Sequence, residues 1–329
     1  MTLQPTGTVR PDADRAPRSR PRVGLCFPGQ GSQAAGMADG LLGTPLAVML
    51  LAAAADAGLD LRAAIGGSGD ALRATEVAQP ALLLVEAVLA AAVPDGVEIV
   101  GVAGHSVGEY AALVAAGALD AAVAMGLVIE RGRAMAEMRE GAMAALLGAS
   151  VEVAESLCRD IDGRGDGPLV VANLNAPGQV VLSGTPAGVV AASELARERG
   201  VRRTTRLNVS GAFHSPLMAG AAERVGALLD AAPFTNARVP VACNVDGAAV
   251  TAADELRRRL RAQLVSPVRW VDCVESLRGL GADVLVELGP GSVLSGLAKR
   301  IAPDARAVSV ATLEGVEALR DRLDGDAGD

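Results

Sequence analysis

A serine lies in the middle of the pattern G-x-S-x-G at residues 104–108. The preceding residues 97–103 form an apolar run typical of a buried strand, and an Ala- and Leu-rich segment that predicts a helix follows. Strand, sharp turn and helix in this order place a nucleophilic serine at the apex of the turn. The flanking glycines have a steric reason, because a Cβ there would clash where strand and helix approach each other. The pattern therefore predicts Ser106 as a nucleophile beside the free N–H groups of a helix N-terminus, which favour a developing oxyanion.

A serine hydroxyl becomes a good nucleophile only when a neighbouring base takes its proton, and the sequence has only two histidines. His105 directly precedes Ser106, so we expect the sharp turn to aim these two side chains in different directions. His214 is therefore the candidate base. It is distant in sequence, and a loop must bring it back to the serine.

A glycine-rich loop at residues 28–33 follows a predicted strand at residues 23–27. It lacks the Lys-Ser/Thr of a P-loop and the spacing of a dinucleotide fingerprint, so we interpret it as a source of backbone N–H groups near a reacting centre. Aromatic residues are scarce, with one Trp, one Tyr and three Phe. Phe27, Tyr110 and Phe213 flank the segments described above, and we interpret this clustering as support for a shaped acyl pocket.

The bulk composition narrows the class of protein. The chain has 329 residues, is 50% hydrophobic and carries a formal net charge of −8, which argues against general nucleic-acid binding. No apolar run reaches the ~20 residues of a membrane helix. The four cysteines are scattered in apolar surroundings without metal-ligand spacing, so we expect reduced thiols, no metal and a cytoplasmic location. They are Cys26, Cys158, Cys243 and Cys273.

The predicted fold class is α/β, with a large α/β-hydrolase-like domain that contains an inserted small ferredoxin-like subdomain. The pattern β-α-β-β-α-β over residues 140–207 is that of the ferredoxin-like unit. Residues 22–139 and 208–312 form the large domain. Within it a helix is expected to begin at Gln79, with Pro80 in its first turn. Residues 1–21 are predicted to be a disordered arm and residues 313–329 a C-terminal helix and tail.

Five short motifs, taken together and in order, resemble malonyl-CoA:acyl carrier protein transacylases and the acyltransferase domains of polyketide synthases. The resemblance covers about residues 22–310. It rests on FPGQGSQ at 27–33, GHSVGEY at 104–110, RGR at 131–133, GAFH at 211–214 and ELGPG at 287–291.

The resemblance implies a ping-pong acyl transfer. Ser106 would take a malonyl group from coenzyme A as an ester, with His214 as its base, and the phosphopantetheine thiol of an acyl carrier protein would then remove it. The backbone N–H groups of Gln30 and Val107 would form the oxyanion hole. Arg131 would pair with the free carboxylate of the acyl group, a role that suits the bidentate guanidinium.

The same resemblance assigns further positions in the pocket. The main-chain carbonyl of Gln263 would orient the histidine, so no acidic third member is needed. His105 and Asn175 would line the pocket. Phe213, directly before the histidine, is typical of members that choose malonyl, and its ring would crowd the α-methyl group of methylmalonyl. No cofactor is implied, because the coenzyme A thioester is a substrate.

The implied partners are malonyl-CoA and an acidic acyl carrier protein, with neither nucleic acid nor membrane, and we expect a monomer. Two groups of arginines predict a basic docking patch beside the cleft. The first is on the last strand of the small subdomain and the second on a later helix. The patch residues are Arg202, Arg203, Arg206, Arg257, Arg258, Arg259 and Arg261.

Three alternatives stay open at this point. A serine esterase or thioesterase of the same fold would use the same elbow and base, with water as acceptor. An acyltransferase for another acyl unit would keep the chemistry and change the pocket. A non-catalytic module that binds carrier proteins would need none of these side chains. Among fatty-acid synthesis, a polyketide assembly line supplied in trans and the loading of a malonate decarboxylase, the sequence does not choose.

Overall fold

The computed structural model of the chain describes residues 21–67, 69–209 and 211–325. The predicted arm at 1–21, apart from Pro21, and residues 326–329 of the predicted tail lie outside the described residues. The strands are β1 (Arg22–Phe27), β2 (Glu98–Gly104), β3 (Ala142–Leu147), β4 (Leu169–Ala176), β5 (Gln179–Gly184), β6 (Arg203–Arg206), β7 (Val241–Ala242), β8 (Ala249–Val250), β9 (Val284–Leu288) and β10 (Arg306–Val310). The helices are α1 (Pro45–Asp56), α2 (Leu61–Gly66), α3 (Thr75–Ala91), α4 (Gly108–Ala115), α5 (Ala121–Glu137), α6 (Val151–Arg164), α7 (Pro186–Glu198), α8 (Ala219–Ala231), α9 (Ala253–Ala262), α10 (Trp270–Gly279), α11 (Val293–Ile301), α12 (Leu313–Glu317) and α13 (Leu319–Gly325).

A six-stranded sheet in the order β10-β9-β1-β2-β7-β8 forms the centre of the larger part of this mixed α/β protein. All neighbouring strands in it are parallel except β7 and β8. The carboxyl ends of β1 and β2 lie side by side, with Phe27 opposite Gly104. The loop after β1 and the turn after β2 therefore meet at one edge of the sheet, where open α/β sheets place their ligands.

A separate antiparallel sheet in the order β4-β5-β3-β6 holds the residues between the two segments of the larger part. Helices α6 and α7 pack on one of its faces around a hydrophobic cluster of their own. The sheet is joined to the larger part by backbone bonds in which the Leu174 N–H donates to Val268 O at 2.9 Å and the Val268 N–H donates to Ala172 O at 2.8 Å. This connection places β4 beside the edge that carries the serine turn.

Helix α3 begins earlier than the sequence predicted. It starts at Thr75, so Pro80 lies inside the helix and not in its first turn. Pro80 is buried and has no N–H to donate to the carbonyl four residues before it, and the helix continues past this missing bond. The longer helix places Thr75 and Gln79 on it, next to α5, and both side chains matter for the site.

Candidate active site

The turn between β2 and α4 is a sharp elbow with Ser106 at its apex, in a left-handed backbone conformation with φ of 53°. A Cβ on Gly104 would lie 2.0 Å from the Gly108 carbonyl carbon, and one on Gly108 would lie 2.2 Å from Phe27 O. Both positions therefore require glycine. The Ser106 N–H donates to Asn244 Oδ1 at 2.8 Å, which ties the elbow to the loop after β7.

The side chain of His214 reaches Ser106 from the loop before α8, with 2.8 Å between His214 Nε2 and Ser106 Oγ. The other ring nitrogen, Nδ1, lies 3.0 Å from Gln263 O and 3.2 Å from Ser266 O. Both are carbonyl acceptors, so Nδ1 carries the proton and Nε2 is left to accept the serine proton. Burial, with the charge of Arg131 adding to it, lowers the pKa of His214 to about 3, so the ring is neutral and ready to act as a base.

The guanidinium of Arg131, on α5, lies next to the serine, and Arg131 is buried, with only 1% of the residue exposed. Its Nη2 donates to Ser106 Oγ and to Gln263 Oε1, both at 3.1 Å, and its Nη1 donates to Gln79 Oε1 at 2.5 Å. All of these partners are neutral. The positive charge therefore faces the nucleophile without a directly bonded carboxylate, an arrangement that fits an anionic group on a bound substrate.

Gln30 and Val107 both line the cavity that contains Ser106. The backbone N–H group of neither residue has an acceptor within the described part of the chain. The close approach of the two loops depends on Gly29, where a Cβ would lie 2.6 Å from His105 O. Unpaired donors on two sides of a nucleophile can stabilise an oxyanion.

The cavity has a volume of about 240 Å³ and lies between the larger part and the small sheet. His105 and Asn175 close one side of it, with 2.9 Å between His105 Nε2 and Asn175 Oδ1, and Phe213 forms another part of the wall. Gln263 does not line the cavity; it is buried behind it, where its Nε2 donates to Ser106 O at 2.9 Å. The structure thus gathers every predicted site residue around one cavity.

The three aromatic residues that flank the site in sequence differ in where their rings lie. Phe213 lines the cavity, but the side chains of Phe27 and Tyr110 are buried in the core beside it. Phe27 is the last residue of β1 and belongs to the main hydrophobic cluster. The Tyr110 ring lies under the site, 5.8 Å from the guanidinium carbon of Arg131. Nearness in sequence did not reveal which way the rings point.

Sequence reasoning missed the polar residues that hold the site from behind. Glu109 Oε2 accepts from the Asn244 N–H at 3.0 Å and from Gln263 Nε2 at 2.8 Å. Burial raises the pKa of Glu109 to about 7, although these two donors and Arg131 lower it. For Glu109 the sequence offered one signal, a carboxylate in an otherwise apolar helix. For Asn244 the sequence offered no signal, because none of the predicted motifs includes it.

The predicted basic patch divides into two groups of unequal character. On α9 the arginines are neutralised by nearby carboxylates, at 2.9 Å for Arg257 with Asp254 and 3.4 Å for Arg258 with Glu255. The remaining pairs are Arg259 with Asp246 and Glu255, and Arg261 with Asp230. The positive charge of this half of the predicted patch is therefore balanced by carboxylates of the helix and its neighbours, and docking on α9 stays a prediction.

The arginines of the small subdomain are different. Within the described residues Arg202, Arg203 and Arg206 form no ion pair. Arg202 shares a surface depression with Arg300 of α11, and Gln179 lines both this depression and the active-site cavity. Arg300 donates to Gln179 Oε1 at 2.6 Å and to the Pro177 carbonyl, so its partners are neutral. Within the described residues, positive charge without a carboxylate partner therefore lies in a depression next to the cleft.

Two further findings concern the described part of the chain. No cluster of three or more His, Cys, Asp or Glu side chains there is suited to hold a metal ion. No helix there has the length and apolar character needed to cross a membrane.

Comparison with known sequences gives consistent matches. The family model of the acyl transferase domain matches residues 25–321. A protein of Bacillus subtilis (strain 168) named malonyl CoA-acyl carrier protein transacylase is 41% identical over 303 residues, which is 90% of this chain and 95% of the relative. A Synechocystis protein of the same name is 40% identical over 295 residues, covering 89% of this chain and 98% of the relative.

Comparison with solved structures agrees. The malonyl CoA-acyl carrier protein transacylase of Coxiella burnetii superimposes with a TM-score of 0.85 at 35% identity and covers 92% of this chain and 98% of its own. A malonyl-transacylase solved in complex with its type II polyketide synthase acyl-carrier protein gives a TM-score of 0.84 at 34% identity, with 92% and 99% covered.

Proposed function

The chain belongs to the acyl transferase family, among relatives named malonyl CoA-acyl carrier protein transacylase, and from that premise we propose that it moves a malonyl group from coenzyme A to the phosphopantetheine thiol of an acyl carrier protein. One observation carries the choice of acyl group: the buried guanidinium of Arg131, with only neutral partners, lies 3.1 Å from the nucleophile Oγ of Ser106. A malonyl thioester carries a carboxylate two bonds from the carbonyl that the serine attacks. Arg131 supplies the matching charge at that distance.

Acylation begins when Ser106 Oγ attacks the thioester carbonyl while His214 Nε2 takes its proton. The negative charge that develops on the carbonyl oxygen is held by the N–H groups of Gln30 and Val107. Collapse of this intermediate breaks the carbon–sulfur bond, and the leaving thiolate of coenzyme A takes the proton from His214. The malonyl group is then an ester of Ser106.

Transfer to the carrier protein runs through the same atoms in reverse. The pantetheine thiol gives its proton to His214 Nε2 and attacks the ester carbonyl, and Ser106 Oγ leaves with that proton. No acidic residue is needed behind the histidine, because the carbonyls of Gln263 and Ser266 hold Nδ1–H and thereby fix the tautomer. The imidazolium forms only transiently beside these dipoles.

For the architecture we propose a ferredoxin-like subdomain at residues 140–207, inserted in an α/β-hydrolase-like domain of residues 22–139 and 208–312. The order β4-β5-β3-β6 and the separate hydrophobic cluster support the first assignment. The serine elbow after β2 in a mainly parallel sheet supports the second. We also propose that the protein acts as a monomer, and that it works in the cytoplasm, where coenzyme A thioesters are supplied.

The test is to mix the protein with malonyl-CoA and follow the intact mass and the release of coenzyme A. We expect a stoichiometric malonyl ester that survives until holo acyl carrier protein is added. Ser106→Ala should form no ester, and Arg131→Ala should lose the preference for malonyl-CoA over acetyl-CoA. Continuous release of malonate without an ester or a carrier product would instead identify the esterase or thioesterase alternative.

A further inference from the structure

A continuous line of hydrogen bonds, buried except at its part-buried last bond, runs from Arg131 to the loop that carries the predicted oxyanion donor Gln30. Arg131 Nη1 donates to Gln79 Oε1 at 2.5 Å. Gln79 Nε2 donates to Thr75 Oγ1 at 2.7 Å, and Thr75 Oγ1 donates to Gln30 Oε1 at 2.7 Å. Arg131, Gln79 and Thr75 are all buried. We call the side chains of Arg131, Gln79, Thr75 and Gln30 the relay.

The direction of every bond in the relay follows from its first member. Arginine has donors only, so Gln79 must turn its oxygen towards Arg131 and its amide nitrogen towards Thr75. The second amide hydrogen of Gln79 points at Met135 Sδ, 3.3 Å from the nitrogen. Thr75 then has a single hydroxyl proton left, which it donates to Gln30. Because each group is satisfied in only one orientation, the charge at one end fixes the side chain at the other.

Helix packing brings the members of the relay within reach of one another. A Cβ on Gly132, directly after Arg131, would lie 2.8 Å from the Glu76 Cα and 3.1 Å from Thr75 O. The glycine lets α5 approach the first turn of α3 closely. The early start of α3 at Thr75 therefore also helps to bring the members of the relay together.

We propose that Thr75 and Gln79 are positioning residues that couple carboxylate recognition at Arg131 to the placement of the Gln30 loop. This inference rests on the proposed function. An acyl group with a carboxylate then meets a guanidinium and an oxyanion donor that are held in one geometry. An acyl group without a carboxylate does not bind Arg131 and meets only the Gln30 end of the relay. The relay therefore favours malonyl in the chemical step.

The experiment compares Thr75→Val, which keeps the shape of the side chain and removes the hydroxyl, with Thr75→Ser, which keeps the hydroxyl. The measured quantities are the single-turnover rate of Ser106 acylation by malonyl-CoA and by acetyl-CoA, and the Tm of each variant. We expect Thr75→Val to slow malonyl acylation about tenfold and acetyl acylation by clearly less. Thr75→Ser should restore both rates. Thr75→Ala takes the place of the Val variant if that protein does not fold.

Three results would overturn the proposal: an unchanged malonyl rate in Thr75→Val, an equal loss for both substrates, or a Ser variant as slow as the Val variant. An equal loss accompanied by a lower Tm would reduce Thr75 to structural support. Failure of the proposed function looks different, because the wild-type protein itself would then form no malonyl ester.

Discussion

At the scale of single residues, the two reacting residues have backbone conformations that residues other than glycine rarely adopt. Among the described residues, Ser106 with φ of 53° and His214 with φ of 57° are the only residues other than glycine with positive φ. Such backbone costs of order 1–3 kcal/mol each and persists where surrounding contacts fix it. Here those contacts are the Asn244 side chain on the Ser106 N–H and two carbonyls on the His214 ring. Strain therefore coincides with the two reacting side chains.

The pH dependence of acylation should follow Glu109 and not His214. The ionised carboxylate of Glu109 accepts from Asn244 N–H and Gln263 Nε2, and burial raises its pKa from 4.5 to about 7. The pKa of His214 is lowered to about 3, so its protonation affects only far more acidic solutions. We expect the single-turnover rate with malonyl-CoA to fall below about pH 7.

The control is Glu109→Gln, which keeps an oxygen acceptor without the titration, and its profile should be flat across that range. A fall near pH 6.5 shared by both proteins would assign the titration to another group.

The raised pKa of Glu109 also makes the stability of the protein depend on pH. Between pH 4.5 and about 7 the folded state holds a proton that the unfolded chain has lost, so this group lowers the free energy of unfolding as pH rises through that window.

Acyl selectivity should depend on the ring of Phe213, which lines the cavity beside His214. Phe213→Ser makes room for an α-methyl branch, so the ratio of kcat/KM for methylmalonyl-CoA to that for malonyl-CoA should rise about tenfold, the scale of one methyl group. Phe234→Leu is the matched control, because Phe234 is buried away from the cavity. An equal ratio in wild type and Phe213→Ser would remove the ring from the selectivity argument.

At the scale of elements, close contacts between backbones decide where the site residues lie. The elbow brings α4 against the end of β1, and α5 approaches the start of α3 at Gly132. Glycines without such contacts have no comparable role: Gly126, on α5, has nothing within 4 Å of an added Cβ. The position of a glycine in the packing, and not its presence in a helix, determines its importance.

A pair of substitutions tests this difference. Gly108→Ala places a Cβ 2.2 Å from Phe27 O, where backbone must move, so we expect loss of the folded protein or of all acylation. Gly126→Ala fills open space inside a helix and should raise stability by about 0.5–1 kcal/mol. Thermal unfolding and malonyl-ester formation measure both. A stable, active Gly108→Ala protein would refute the elbow geometry.

At the scale of the whole molecule, the site is a junction between two sheets. The larger sheet supplies the serine, and the small sheet supplies Asn175 against His105. Unpaired positive charge from both parts, Arg202 and Arg300, lies around a depression next to the cleft. The chain as a whole carries a net charge of −8. We therefore expect an acidic carrier protein to be attracted to this depression more than to the rest of the surface.

Charge reversal should locate the docking surface. Arg202→Glu combined with Arg300→Glu is expected to raise the KM for the carrier protein about tenfold or more, with little effect on acylation by malonyl-CoA. Arg258→Glu is the matched control, because Arg258 is already paired with Glu255 and should change that KM little. A larger effect from Arg258 than from the double variant would return the docking surface to α9.

The sequence by itself determined the local parts of this protein. Short-range patterns predict the elbow, the choice of base between two histidines, and the four strands and two helices of the small subdomain. The reason is that turns, glycines and periodicity act over a few residues. The motif resemblance added Arg131, Gln263 and the oxyanion donors.

Only the tertiary structure decided how these parts are supported. Asn244 and Glu109 hold the elbow across distant segments, and the α9 arginines are neutralised by carboxylates from several elements. Phe27 and Tyr110 lie in the core although they adjoin the site in sequence. The physical reason is that hydrogen bonds and ion pairs depend on distance and direction in space, which a local pattern does not specify.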